Sequence, residues 1–139
     1  MIKKVLYITG TRADYGLMHD TLKLLNEDEC IHLDIAVTGM HLMEEFGYSL
    51  DEIKKDNFNL HIVNQTFLKD DNVSMSNFIG NLIVDLTQLM SEIKPTIVLL
   101  LGDRGEMLAG AVAASYLEVN EGFTAVSIFL TLIWSHSSS

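Results

Sequence analysis

Short β-strand patterns alternate with helical patterns along the first 117 residues of this chain. The run TIVLLL, Thr96–Leu101, is almost wholly apolar, which is typical of a parallel strand covered on both faces. Strands and helices in this order favour an α/β fold with a doubly wound, mostly parallel sheet. The predicted strands are Lys4–Thr9, Ile31–Val37, Leu60–Val63 and Thr96–Leu101, and the predicted helices are Asp14–Asn26, Ser49–Lys55, Met75–Ile93 and Gly105–Leu117.

The longest helical stripe carries start and stop signals of its own. Ser74 or Asn72 can cap its first turn, and Pro95 ends it. One apolar run, Phe123–Trp134, remains unassigned. It is shorter than the roughly 20 residues that a membrane-spanning helix needs, so we expect no membrane association. The run can instead pair as a fifth strand of the sheet.

The net charge of the chain limits the classes of molecule that it can bind. A net charge of −10, with no cluster of basic residues, argues against nucleic acid. An anionic small molecule is still compatible, because local cations and helix N-termini decide such a contact. Cys30 is the single cysteine, which excludes an internal disulfide. The apolar run after Met1 is too short for a signal peptide, so we expect a cytoplasmic location.

Polar segments follow three of the predicted strands: TGTRADYG, TGMHL and GDRGE. Ligands of doubly wound folds bind beyond the carboxyl ends of the strands. Because these ends share one sheet edge, we expect the three segments to converge there. Their convergence carries more weight than any one motif.

The first segment matches neither a dinucleotide fingerprint nor a P-loop. Its Arg12 can hold a phosphate through two parallel hydrogen bonds, and the start of the next helix adds backbone donors. Asp14 can cap that helix or point into the site. A plain turn with a solvated Arg12 is an equally good interpretation.

The other two segments supply titratable groups. His41 can serve acid–base chemistry or contact a phosphate, although a single histidine is more often a surface or supporting residue. Asp103 and Arg104 end the most buried strand, where charges are costly unless they pair or bind a ligand. Glu106 lies near Asp103 if the helix has begun. A structural ion pair or a cap is the alternative. The remaining histidines have no metal-ligand spacing.

Four segments of the chain together resemble the N-terminal domain of the hydrolysing UDP-N-acetylglucosamine 2-epimerases of sialic- and nonulosonic-acid pathways. They are TGTRADYGLM, LDIAVTGMHL, GYSLDEIKKDNFN and LLLGDRGEMLAGAVAASYL. The likeness runs from Lys3 to Leu117. It implies a GT-B fold: two Rossmann-like domains with the active site between them. It also implies a homo-oligomer in the full-length family.

The resemblance implies elimination of UDP from UDP-N-acetylglucosamine to give a glycal, followed by water addition to release N-acetylmannosamine, with no cofactor. By motif, Asp103 is implicated in proton transfer, and His41 lies near the sugar or phosphates. Arg12 would contact the diphosphate, Asp14 falls in the same motif, and Arg104 and Glu106 complete the third. We group Asp103, His41 and Glu106 as catalytic and the other three as substrate-binding.

The resemblance stops after Leu117. The family continues with a His-Ile-x-Gly-Gly-Glu segment and a second domain, whereas residues 118–139 read EVNEGFTAVSIFLTLIWSHSSS. We therefore expect a domain at 1–117, an atypical tail at 118–139, and negligible turnover by this chain alone. The alternatives are a non-catalytic nucleotide-sugar-binding remnant and the N-domain of a GT-B glycosyltransferase.

Overall fold

The computed structural model describes residues 2–69, 71–121 and 125–127 of the chain. Within these residues, five parallel strands form one sheet in the order β3-β2-β1-β4-β5. The strands are β1 (Lys3–Thr9), β2 (Ile31–Val37), β3 (Asn59–Ile62), β4 (Ile97–Leu99) and β5 (Ala125–Ser127). The strand order reverses between β1 and β4, so the predicted doubly wound sheet is confirmed.

Four α-helices connect the strands: α1 (Arg12–Glu27), α2 (Leu50–Lys54), α3 (Asn72–Ile93) and α4 (Gly105–Glu121). Each matches a predicted helix, although α4 continues beyond the predicted end at Leu117. The predicted cap of α3 was wrong, because Asp71 accepts the hydrogen bond from the Ser74 N–H at 2.8 Å. A helix boundary shifted by one residue changes which side chain can reach the free N–H groups.

The two faces of the sheet bury different helices. Leu6, Ile8 and Val98 point to the face covered by α3 and α4. Val5 and Tyr7 point to the face covered by α1 and α2. Because successive strand residues face opposite sides, one apolar strand contributes to both cores.

The fourth strand is shorter than predicted. Only Ile97–Leu99 pairs with β1, and Gly102 adopts a positive φ of 111° in the loop that follows. Leu100 is still buried, so the apolar run continues into the core after its ladder ends. Part of the predicted Phe123–Trp134 strand is confirmed as β5, and its other residues lie outside the described ranges. In the part of the chain that the structure describes, none of the helices could cross a bilayer.

Gly110 allows α4 to approach the sheet closely. A Cβ there would lie 2.6 Å from Ile8 Cδ1 and 2.9 Å from Leu100 Cδ2, both in the core. By contrast, a Cβ on Gly80 of α3 would meet nothing within 4 Å.

We expect the same substitution to have opposite effects at these two helical glycines. Gly110→Ala should lower the free energy of unfolding by about 1–2 kcal/mol, because overpacking outweighs the gain in helix propensity. Gly80→Ala should raise it by about 0.5–1 kcal/mol. Urea unfolding of the two variants measures both changes, and shifts of the same sign would contradict this account of α4 packing.

Candidate functional site

The three polar segments meet at the carboxyl edge of the sheet. The Thr38 N–H donates to the Thr9 carbonyl and the Met40 N–H to the Gly10 carbonyl, each at 3.1 Å. The third segment joins them through Glu106, whose Cδ would lie 2.8 Å from a Cβ on Gly10. The structure therefore brings together the segments whose convergence the sequence predicted.

Asp14 organises the first segment. Its Oδ1 accepts from the Tyr7 hydroxyl at 2.9 Å and from the Thr9 hydroxyl. Its Oδ2 accepts from the N–H groups of Gly10 and Thr11, at 3.1 and 2.8 Å, and from the Thr11 hydroxyl at 3.0 Å. The Asp14 N–H donates back to the Thr11 hydroxyl, which completes a capping box. Of the two roles that the sequence left open for Asp14, its hydrogen bonds show the capping role, and Asp14 also lines the crevice described below.

His41 is fully buried and both of its ring nitrogens have protein partners. Its Nε2 lies 2.8 Å from Thr9 Oγ1, and its Nδ1 lies 2.7 Å from Ser49 Oγ. Burial is the main cause that lowers the pKa of His41, and the Arg12 charge adds to it, while Asp14 acts in the opposite direction. Folding therefore favours the neutral form of the His41 ring more than free solution does.

Arg12 lies at the rim of the site. Its Nη2 lies 3.2 Å from Glu52 Oε1, and the two side chains are 56% and 65% exposed. Gly47, with φ of 83°, lets the guanidinium lie close, because a Cβ there would be 2.8 Å from Nη2. Exposed pairs of this kind contribute at most about 1 kcal/mol, so Arg12 can leave Glu52 for a ligand at little cost.

In the third segment the buried carboxylate is Glu106, and Asp103 is exposed. The sequence-based expectation that Asp103 is the desolvated charge was wrong. The chain turns outward at Gly102, and α4 then directs Glu106 under the glycine-rich turns. The Arg104 Nε–H donates to Glu106 Oε2 at 3.1 Å, so Arg104 forms an ion pair with Glu106.

Glu106 has no exposed atom with which to touch a substrate in this conformation. Among the described residues, none forms a hydrogen bond with its Oε1. Burial is the largest cause acting on the pKa of Glu106 and raises it, although the Arg104 charge opposes the shift. The predicted catalytic role of Glu106 is therefore not one of direct contact here.

A crevice opens between the start of α1 and the β4–α4 loop, at the point where the strand order reverses. We call it the switch-point crevice. Its walls are mainly apolar, with Asp103 and Arg104 on one side. The lining residues are Thr11, Ala13, Asp14, Leu17, Leu101, Gly102, Asp103, Arg104 and Met107. Arg12 lines two neighbouring pockets on the other side of the α1 N-terminus, one of which includes Tyr15 and His41.

Sequence reasoning missed three residues that hold the site together: Tyr7, Thr9 and Ser49. Tyr7 and Thr9 belong to an apolar strand pattern that gave no reason to single them out. Burial and the Asp14 carboxylate raise the pKa of Tyr7, so its hydroxyl remains a donor. A threonine at the end of a buried strand, just before a glycine, was the one available signal.

The other histidines do not form a metal site within the described residues. His61 and His32 both contact the buried Asp34, at 2.8 and 3.3 Å, on the far part of the sheet. His19 contacts Asp20 on its own helix. His136 lies outside the described residues.

Comparisons with known proteins show which family this chain resembles. A family model described as UDP-N-acetylglucosamine 2-epimerase matches residues 23–122. Over 120 residues the chain is 47% identical to a Legionella pneumophila protein named UDP-N,N'-diacetylbacillosamine 2-epimerase (hydrolyzing), covering 86% of this chain and 32% of that protein. It is 34% identical over 117 residues to a UDP-N-acetylglucosamine 2-epimerase of Neisseria meningitidis, covering 82% and 30%.

Solved structures share the fold. A crystal structure of a UDP-N-acetylglucosamine 2-epimerase aligns with a TM-score of 0.70 at 26% identity, covering 92% of this chain and 33% of that one. A UDP-GlcNAc 2-epimerase from Neisseria meningitidis, solved bound to UDP-GlcNAc, aligns with a TM-score of 0.69 at 24% identity, covering 91% of this chain and 31% of that one. The chain thus spans about a third of the length of the proteins it matches and corresponds to the N-terminal part of their GT-B fold.

Proposed function

Because this chain belongs to the UDP-N-acetylglucosamine 2-epimerase family, we propose that it forms the N-terminal side of the active-site cleft of a hydrolysing UDP-N-acetylglucosamine 2-epimerase. The observation that carries this proposal is the switch-point crevice, where an exposed carboxylate and a guanidinium flank apolar walls. A doubly wound sheet binds its ligand at this position.

The proposed chemistry begins with removal of the proton on sugar C2. The electron pair of that C–H bond forms a C1=C2 double bond as the C1–O bond breaks and UDP departs. Water then adds across the double bond, its oxygen to C1 and a proton to C2, which gives N-acetylmannosamine. The steps need a proton acceptor and cations that stabilise the departing diphosphate.

Asp103 and Arg12 are exposed and Arg104 is half-buried, so these three side chains can reach a ligand. We assign proton transfer, or the positioning of the group that performs it, to Asp103 at the crevice. Arg12 and Arg104, on either side of the α1 N-terminus, are assigned to the diphosphate. Glu106 is assigned to support Arg104, and Asp14 to hold the loop that carries Arg12. The same proposal includes a cytoplasmic location, a sialic- or nonulosonic-acid pathway and a homo-oligomeric full-length state. It also includes a domain boundary at residue 117.

A second candidate substrate is a UDP-2,4-diacetamido sugar that lacks the 6-hydroxyl. The mainly apolar lining of the crevice favours it, because sugar hydroxyls placed there would lose hydrogen bonds to water. The C6 methyl group and the methyl groups of the acetamido substituents would be accommodated without that loss. The name of the Legionella pneumophila relative agrees with this candidate.

A chimera tests the proposal. The 120 residues that match the Legionella pneumophila protein replace the corresponding segment of that protein, and release of UDP and free sugar is measured with both substrates. We expect turnover by the chimera and less than about 1% of it by the 139-residue chain alone, which spans about a third of the length of its relatives. Binding of UDP-sugar without UDP release would favour the non-catalytic remnant. Sugar transfer to an acceptor would favour a glycosyltransferase.

A further inference from the structure

We propose that Ser49 and Thr9 are positioning residues that hold His41 in its Nε2–H tautomer, and that His41 shapes the site without transferring a proton. The second half of this proposal rests on the proposed function. The first half concerns the hydrogen bonds of the chain itself and stands independently of any activity.

The hydrogen-bond directions follow from Asp14. A carboxylate only accepts, so the single hydroxyl proton of Thr9 goes to Asp14 Oδ1. The Thr9 oxygen is then left as an acceptor for its other neighbour, His41 Nε2, at 2.8 Å. His41 must therefore carry its proton on Nε2.

The hydrogen-bonding role of the other ring nitrogen, Nδ1, follows from the protonation of Nε2. In a neutral imidazole with Nε2 protonated, Nδ1 is an acceptor. Ser49 Oγ lies 2.7 Å from it and donates its hydroxyl proton. The result is one directed chain, Ser49 to His41 to Thr9 to Asp14, in which every member is less than one-tenth exposed.

This series of hydrogen bonds joins three parts of the fold. Thr9 ends β1, His41 lies in the 3-10 helix Gly39–Leu42, and Ser49 immediately precedes α2. The Tyr15 ring on α1 packs against the imidazole in an edge-to-face arrangement, with the two ring centroids 6.2 Å apart. His41 therefore fixes the second polar segment against the first, and a displacement of the ring would displace Arg12 and the rim around it.

Both ring nitrogens are used within the protein, so neither can accept a proton from a bound sugar in this arrangement. The prediction that His41 is catalytic is replaced by a positioning role. Buried hydrogen-bonded networks of this kind are stabilising only when every member is satisfied, and here each has a partner of the right polarity.

The test is the nitrogen NMR spectrum of the histidine rings in the ¹⁵N-labelled 139-residue chain, with His41→Gln to assign the His41 signals. We expect a protonated Nε2 and an acceptor Nδ1 at about pH 8. Ser49→Ala should move the Nδ1 resonance downfield, as an acceptor nitrogen does when its hydrogen bond is lost. Ser49→Thr, which keeps the hydroxyl, should restore it.

Ser91→Ala is the matched control, because the Ser91 hydroxyl donates to the Gln88 carbonyl on the exposed side of α3. It should leave the His41 signals in place. A protonated Nδ1, rapid exchange between tautomers, or no movement in Ser49→Ala would overturn the proposal. The wild-type spectrum alone decides the tautomer if Ser49→Ala fails to fold.

The positioning role has its own readout in the chimera. His41→Gln should lower kcat/KM on the order of tenfold while both limbs of its pH profile remain, because other groups carry the protons. Loss of one limb would overturn the positioning role. An inactive chimera together with the expected tautomer would count against the proposed function and leave the hydrogen-bond chain intact.

Discussion

Asp14→Asn is expected to lower the free energy of unfolding of this chain by about 3 kcal/mol, and its midpoint temperature by about 10 °C. The Asp14 carboxylate accepts five hydrogen bonds, three on one oxygen and two on the other. An asparagine presents an NH₂ group to one of these sets, where donor would face donor in a buried place. Thermal unfolding followed by circular dichroism measures the loss.

Asp20→Asn is the matched control, with the same chemical change on the same helix. The Asp20 side chain is fully exposed, so its replacement should alter the unfolding free energy by no more than about 0.5 kcal/mol. Equal midpoints for Asp14→Asn and Asp20→Asn would show that the capping network does not hold the first segment. Because Thr9 and His41 belong to the same network, the His41 ring signals should also move in Asp14→Asn.

The order of strands and helices could be predicted because it depends on periodicity within a few residues. The alternation of apolar and polar residues predicted β2, and the apolar stripe at helical spacing predicted α3. The uninterrupted apolar run predicted that β4 lies near the centre of the sheet. The meeting of the three polar segments also followed, since parallel strands put their carboxyl ends on one edge. The family that the motifs suggested was confirmed by the match over residues 23–122.

The distribution of burial among the site residues could not be predicted in the same way. Asp103 and Glu106 are three residues apart, and the sequence does not say at which residue the loop ends and α4 begins. The turn at Gly102 decides this, and it exposes Asp103 while burying Glu106.

Burial of Glu106 has a consequence for stability. Since its pKa is raised on folding, the folded state holds the proton more tightly than the unfolded chain. Its contribution to stability is therefore full below the unfolded pKa and is lost as the pH rises through the folded pKa.

The role of His41 could not be predicted from the sequence either. A Thr-Gly-x-His motif shows a histidine near a strand end, but Thr9 and Ser49 reach it from positions 32 and 8 residues away. Only the packed fold shows that both ring nitrogens are already used. Its pKa is lowered on folding, so its contribution to stability is full above the unfolded pKa and is lost as the pH falls toward the folded pKa.

The largest effect on activity is expected from Asp103→Asn in the chimera, where kcat/KM should fall by at least about 100-fold with most of the loss in kcat. Asparagine keeps the shape of the side chain and removes the group that accepts a proton or orients the acceptor. Release of UDP measures the loss, and Asp20→Asn in the same chimera should have no effect. A decrease of less than about threefold would return Asp103 to a structural role.

Arg12→Ala should cause a comparable decrease in kcat/KM, through the lost stabilisation of the departing diphosphate. The informative control is Glu52→Gln, which removes the partner of Arg12 without touching the guanidinium. If Arg12 serves only to pair with Glu52, the two variants lose activity equally. If Arg12 binds the diphosphate, Glu52→Gln retains activity, because the freed guanidinium is already at the rim and no longer has to leave an ion pair when the ligand arrives.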